Sequence, residues 1–223
     1  MKPNTSASSV GIIALSYAAG ATNAFAFLTL GGVFAGNITG NFILMDLPQH
    51  PEYLFILVGA LVAVAASVVV SLVIGFSVTR SREGVIAYSP VFGVLIASTA
   101  VQLVVAVGWL LLPTRSAFWT QCIFVVFAAA AVALQRVVAR RIFAATELPT
   151  PLARGSVAAI VEDLVSGKAG PLQALRLSSV VALIVGVVSA GVTLFFATPL
   201  GAFPPVVGAL VAFFATRAAL PDR

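Results

Sequence analysis

Long apolar runs bounded by charge or proline divide this chain into six stretches, at residues 10 to 30, 54 to 79, 90 to 112, 117 to 135, 177 to 197 and 200 to 217. An α-helix needs ~20 apolar residues to cross the hydrocarbon core of a bilayer. The pattern therefore predicts an all-α polytopic membrane protein, with residues 1–223 forming a single transmembrane domain of six spans. Only Lys2 and a polar stretch precede the first run, which continues well beyond the h-region of a signal peptide, so it is expected to stay in the protein. Pro199 and the Pro204-Pro205 pair predict a bend or a short non-helical approach to the last span.

Composition removes the other classes. The chain is 61% hydrophobic and 9% charged, against about 45–50% and about 25% in soluble domains, and its mean hydropathy is +1.13. A formal charge of +5 would suggest nucleic acid in a soluble protein. Here the basic residues lie between the spans, so no nucleic-acid partner is expected and the bilayer itself is the expected surrounding. Of the 12 basic residues, Lys2, Arg80, Arg82, Arg136, Arg140, Arg141, Arg154, Lys168, Arg176, Arg217 and Arg223 fall on one side and Arg115 alone on the other. The positive-inside rule then places both termini in the cytoplasm, as an even number of spans requires. Arg136, Arg140 and Arg141 are also candidates for contact with anionic lipid headgroups. Cys122 has no second cysteine to pair with and is read as a packing residue.

One stretch fits neither a lipid-facing helix nor an ordinary loop. Residues Leu30 to Asp46 read LGGVFAGNITGNFILMD, rich in glycine and amides and free of charge until Asp46. Gly32, Gly36 and Gly40 permit backbone breaks or close approach, and Asn37 and Asn41, four apart, would share a face if the helix ran through both. A broken or re-entrant element is expected, and such backbone survives at membrane depth only when buried in protein or lining a watery cavity. Asn23, Asn37, Thr39 and Asn41 are thus the leading solute-binding candidates, with Gln135 beside them. Asp46 is the one candidate proton site, on condition that the segment draws it inward.

The stretch from Gly20 to Phe25 (GATNAF), followed by Leu30 to Asn41, resembles the YoaK-type family of bacterial integral membrane proteins, a domain of unknown function. The resemblance extends over the whole chain and implies a six-span bacterial inner-membrane protein, loosely described as a permease, without an assigned reaction or substrate. Two departures stand out. The family's Gly-x-x-Asp-Ala has Asn23 in place of the acid, and its Gly-Met-Gln-Asn and Thr-Gly-Asn sequences of the second half read Ala133-Leu134-Gln135-Arg136 and Ala153-Arg154-Gly155.

Residues 20–47 and 133–164 share a pattern of apolar span, polar motif and Pro/Gly-containing segment leading to a short helix, at an offset of about 113 or 114 residues. Repeat 1 would cover about residues 10–112 and repeat 2 about 117–217. Three spans per half force opposite orientations, the inverted-repeat plan of many secondary transporters. Short helical segments are expected at residues 31–47 and 148–166, on opposite sides of the bundle.

For function, the seven carboxylates Asp46, Glu52, Glu83, Glu147, Glu162, Asp163 and Asp222 fall outside the spans, and no HExxH, GxSxG or P-loop signature occurs. No enzyme activity, cofactor or metal is expected. With no charge assigned to any span, the leading reading is a permease or channel for a small neutral or weakly polar solute. The alternative is a non-transporting scaffold, chaperone or lipid-interaction protein. Gln102, Gln121 and the serines and threonines of the spans are expected to bond helices to one another or to themselves.

Overall fold

In the computed structural model, which describes residues 5–79, 88–112, 117–146 and 171–219, every long apolar run becomes a helix. In chain order these are α1 (Thr5–Thr29), the short α2 (Ile38–Met45), α3 (Tyr53–Thr79), α4 (Tyr88–Leu111), α5 (Phe118–Thr146), α6 (Pro171–Phe196), a single 3-10 turn (Thr198–Leu200) and α7 (Phe203–Ala219). Six of them are long and apolar enough to cross a membrane, and the chain is a multi-pass membrane protein. Its outer surface agrees with lipid contact: Phe76, Leu111, Trp119, Phe195 and Phe196 all stand exposed, an arrangement that water would penalise and hydrocarbon does not.

The expected spans hold within a few residues except the fourth. The sequence reading ends it at residue 135, before the first arginine, whereas α5 runs on to Thr146 and its membrane-crossing stretch, Phe118–Arg140, contains Arg136. The reason is visible in the residues that follow. Val137, Val138 and Ala139 resume the apolar run, and Val138 and Ala139 are buried in the bundle, so burial outweighs the interrupting charge. The assignment of a charge-free interior to all six spans is corrected here. At the other end the prolines act as expected: Pro199 lies in the 3-10 turn, and Pro204 and Pro205 enter the first turn of α7, where a missing N–H breaks no intrahelical bond.

Helices α1 and α5 form the axis of the bundle. α1 packs against α6, α7 and α5, while α5 packs against α3, α4 and α1; α4 also meets α7. Small residues set the closest approaches. A Cβ on Gly20 would run into the backbone carbonyl of Leu183, and one on Gly186 into that of Tyr17, so α1 and α6 touch backbone to backbone. Gly208 lets α7 approach Ala18 in the same way.

Hydrogen bonds between helices fix register. Gln102 Nε2 donates to Thr22 Oγ1 (3.2 Å), Gln121 Nε2 to the Thr29 carbonyl (3.4 Å), Ser98 Oγ to the Ala131 carbonyl (3.1 Å), and Trp109 Nε1 to the Thr198 carbonyl (3.1 Å). Tyr17 and Ser189 share a 2.8 Å bond between their hydroxyls. Ser16 and Thr99 bond back into their own helices. Gln102, Gln121 and Ser98 thus join helices as expected, whereas the buried hydroxyls of Ser179 and Thr216 have no partner among the described residues.

Candidate functional site

After α1 the chain turns back into the bundle. Gly31 and Gly32 have φ of 83° and 74°, a left-handed conformation that glycine adopts without a Cβ clash, and they reverse the chain at the C-terminal end of α1. The following residues descend beside α1 until Gly36 donates its N–H to Asn23 Oδ1 (2.8 Å). Asn23 lies six residues before the end of α1, about 9 Å down the helix at 1.5 Å per residue. α2 then climbs out to Met45, whose carbonyl accepts from Tyr53 Oη (3.0 Å). The broken re-entrant element expected of the first half is present. Its expected counterpart at 148–166 lies outside the described residues.

Non-helical backbone at this depth must find partners within the protein, and amide side chains provide them. Asn41, 1% exposed, clamps Phe34 from both sides: Oδ1 accepts from the Phe34 N–H (2.9 Å) and Nδ2 donates to the Phe34 carbonyl (2.7 Å). Asn23 also donates from Nδ2 to the Ala19 carbonyl (2.9 Å). Asn37 caps α2, its Oδ1 accepting from the Gly40 N–H (3.0 Å). Ser67 Oγ reaches the Ala35 carbonyl from α3 at 3.5 Å.

Between α1, α5, α6 and this re-entrant segment lies a cavity of about 450 Å³. Its polar wall is Ser16, Asn23, Asn37, Gln135 and Arg136; the rest is apolar, including Leu15, Phe34, Val132, Leu183 and Val187. Gly36 forms the floor between the polar groups. A Cβ there would sit 2.5 Å from Val132 Cγ1, 3.1 Å from Arg136 Nη2 and 3.3 Å from Asn23 Nδ2. Gly36 therefore serves close approach and holds the guanidinium and the amide side by side. Gln135 is 2% exposed, yet neither its Oε1 nor its Nε2 has a hydrogen-bond partner among the described residues.

The sequence candidates thus part company. Asn23, Asn37, Gln135 and Gly36 meet at the cavity. Asn41 stays out of it, wholly committed to Phe34, and Thr39 is exposed on the first turn of α2 outside the cavity wall. The shared face expected for Asn37 and Asn41 does not form, because α2 begins at Ile38 and Asn37 is its cap. Gly40 packs over Asn37 and Phe34, and Gly32 works through its backbone conformation alone. Asp46 is exposed at the C-terminal end of α2. It is not drawn inward, since α2 carries it back out of the bundle.

Arg136 is the residue that sequence reasoning assigned elsewhere. It was counted with the charges that orient the chain, and it is instead half-buried inside the crossing part of α5, in the cavity wall. The charged described neighbour acting on it is a second cation, the exposed Arg140 one turn away. The described carboxylates, Asp46 and Glu52, stand beyond the opposite end of the bundle, in and after the turn that follows α2. The available signal was the apolar run resuming after a single arginine.

No curated protein and no solved structure matches the chain. The family described as "Protein of unknown function (DUF1275)" matches residues 11–216, which take in all six spans and the re-entrant segment, and the chain belongs to that family.

Proposed function

We propose that this protein is a non-enzymatic permease of the bacterial inner membrane, with both termini in the cytoplasm, and that its solute site is the cavity between α1, α5, α6 and the re-entrant segment. The observation that carries the reading is the polar wall of that cavity, set against irregular backbone deep in the bundle. Transporters place solute where broken helices meet intact ones. The topology is supported by the basic residues: Arg136, Arg140, Arg176 and Arg217 occupy the half of the bundle in which the chain's first and last described residues lie.

The helix neighbours support an inverted repeat as the frame. α1 leans on α6 and α7, and α5 leans on α3 and α4, so the first helix of each half nests against the later two helices of the other. The offset of about 113 residues carries Asn23 onto Arg136 and Thr22 onto Gln135. Asn23 and Arg136 meet at Gly36, which is where a two-fold axis in the membrane plane would pass.

Flux into proteoliposomes is the test. Val187 lines the cavity from α6 and is 41% exposed, so Val187→Trp fills the space without burying a polar group. The variant should keep its thermal unfolding temperature and lose about ten-fold or more in flux, as expected when a solute site is occluded. If no solute of a broad panel crosses, a lipid-interaction role takes the place of transport. The apolar groove between α1, α6 and α7, lined by Val10, Tyr17, Val181, Val185, Val207 and Val211, is shaped and placed to take an acyl chain.

A further inference from the structure

The chemistry of the cavity wall selects the charge of its occupant. Asn23 and Asn37 each accept a backbone N–H with the carboxamide oxygen, from Gly36 and Gly40 respectively, which leaves one lone pair on each. These bonds fix which end of each amide is oxygen, since an amino group cannot accept from an N–H. Asn23 has one N–H left after bonding Ala19, and what Asn37 retains for a ligand is its amino group. Arg136 adds a guanidinium that can only donate. Ser16 has already given its proton to the Ile12 carbonyl, and the remaining adaptable group is the unpartnered Gln135. Among the described residues the wall therefore offers amino-group donors and one positive charge with no carboxylate beside it, its acceptors besides Gln135 being the Ser16 hydroxyl oxygen and the second lone pairs of the two carboxamide oxygens. A neutral solute would leave the guanidinium without a counter-charge.

From this we infer that the cavity binds a singly charged oxyanion carried on a short apolar body. The guanidinium of Arg136 pairs with the oxyanion in a two-pronged contact, the amino groups of Asn23 and Asn37 take its remaining lone pairs, and Gln135, its buried amide without a partner among the described residues, lies beside them in the wall. The apolar body lies against Leu15, Phe34, Val132, Leu183 and Val187. A single negative charge fits because, among the described residues, one cation lines the cavity, Arg140 being exposed and outside its wall. The second charge of inorganic phosphate or sulfate would face apolar side chains. This replaces the neutral solute suggested by a charge-free interior. It takes the site from the permease reading but does not require that the ligand be transported.

A free carboxylate and the phosphodiester of an anionic lipid share this chemistry, and the experiment separates them. Full-length protein in nanodiscs of zwitterionic lipid is titrated by calorimetry with benzoate and butyrate, with benzamide as the neutral isostere and inorganic phosphate as the dianion. A parallel sample in phosphatidylglycerol nanodiscs is examined for retained lipid by native mass spectrometry. Benzoate should bind and benzamide should not. Arg136→Gln should weaken binding about 100-fold and Arg136→Lys, which keeps the charge but loses the fork, about 10-fold. Thermal unfolding of both variants shows that the fold survives; should Arg136→Gln unfold, Arg136→Lys carries the comparison. If carboxylates fail to bind but phosphatidylglycerol is retained by the wild type and lost from Arg136→Gln, the oxyanion is the lipid's. Equal affinity for benzoate and benzamide, indifference to both substitutions, or tighter binding of phosphate would each overturn the inference, as would absence of both carboxylate binding and lipid retention. Binding without flux removes the permease reading and leaves the anion site. Flux of a neutral solute unaffected by Arg136→Gln does the reverse.

Discussion

The two walls of the cavity use the same kinds of residue to opposite ends. On the side of α1 and the re-entrant segment, Asn23 and Asn37 in the wall and Asn41 outside the cavity all bond backbone: each oxygen accepts from a main-chain N–H, and two of the three amino groups bond main-chain carbonyls. On the α5 side, Gln135 is as deeply buried as Asn41 and has no described partner, and Arg136 brings a charge against apolar neighbours. One wall is a scaffold made of amides. The other is held unsatisfied, and burial of unpaired polar groups persists only where something else repays it. Hydrogen-bond bookkeeping, rather than residue type, tells the two apart.

The largest test of the comparison falls on Asn41. Asn41→Leu leaves the Phe34 N–H and carbonyl without partners inside the bundle, at about 1–3 kcal/mol for each group, so thermal unfolding in detergent should show a loss of about 2–6 kcal/mol. A Leu variant of unchanged stability would mean that the re-entrant loop does not depend on this clamp.

Gln135 should respond in the opposite sense. Gln135→Leu keeps the volume and removes a buried donor and acceptor that have nothing to bond, which is neutral or stabilising by about 1 kcal/mol. The same change should abolish any stabilisation of the protein by added benzoate, read as the shift of the unfolding temperature with ligand. A variant that is destabilised in the empty protein would show that Gln135 has a structural partner after all, and the two walls would then be alike.

How far the sequence reached can be judged on these same residues. Six spans, the prolines before α7 and the re-entrant break were legible because length, hydropathy and glycine spacing are local properties, and Gly31 and Gly32 carry their turn in their own φ angles. Asn41 was not separable from Asn37, since what divides them is where α2 begins, and that depends on which side chain caps it. Arg136 was misplaced because charge in a sequence marks a span's end by default, and only packing against Gly36, Val132 and Asn23 shows the exception. Asp46 failed in the reverse direction: its position depends on α2 turning outward, which no single residue announces.

The smallest expected effect is the most discriminating, because Asn37 stands on both sides of the comparison. It is exposed, caps α2 through its oxygen, and lines the cavity. Asn37→Ala removes cap and amino group together, and the loss of an exposed cap costs about 1 kcal/mol. Asn37→Ser keeps an oxygen that can accept from the Gly40 N–H, so stability should be retained. Serine has no amino group to offer a ligand, and loss of one such hydrogen bond, about 1 kcal/mol, should weaken benzoate binding about five-fold. If Asn37→Ser binds as the wild type does while Asn37→Ala is merely less stable, Asn37 belongs wholly to the scaffold. The ligand's contacts would then contract to Arg136, Gln135 and the free N–H of Asn23, and the oxyanion would sit against α5 and not between the two walls.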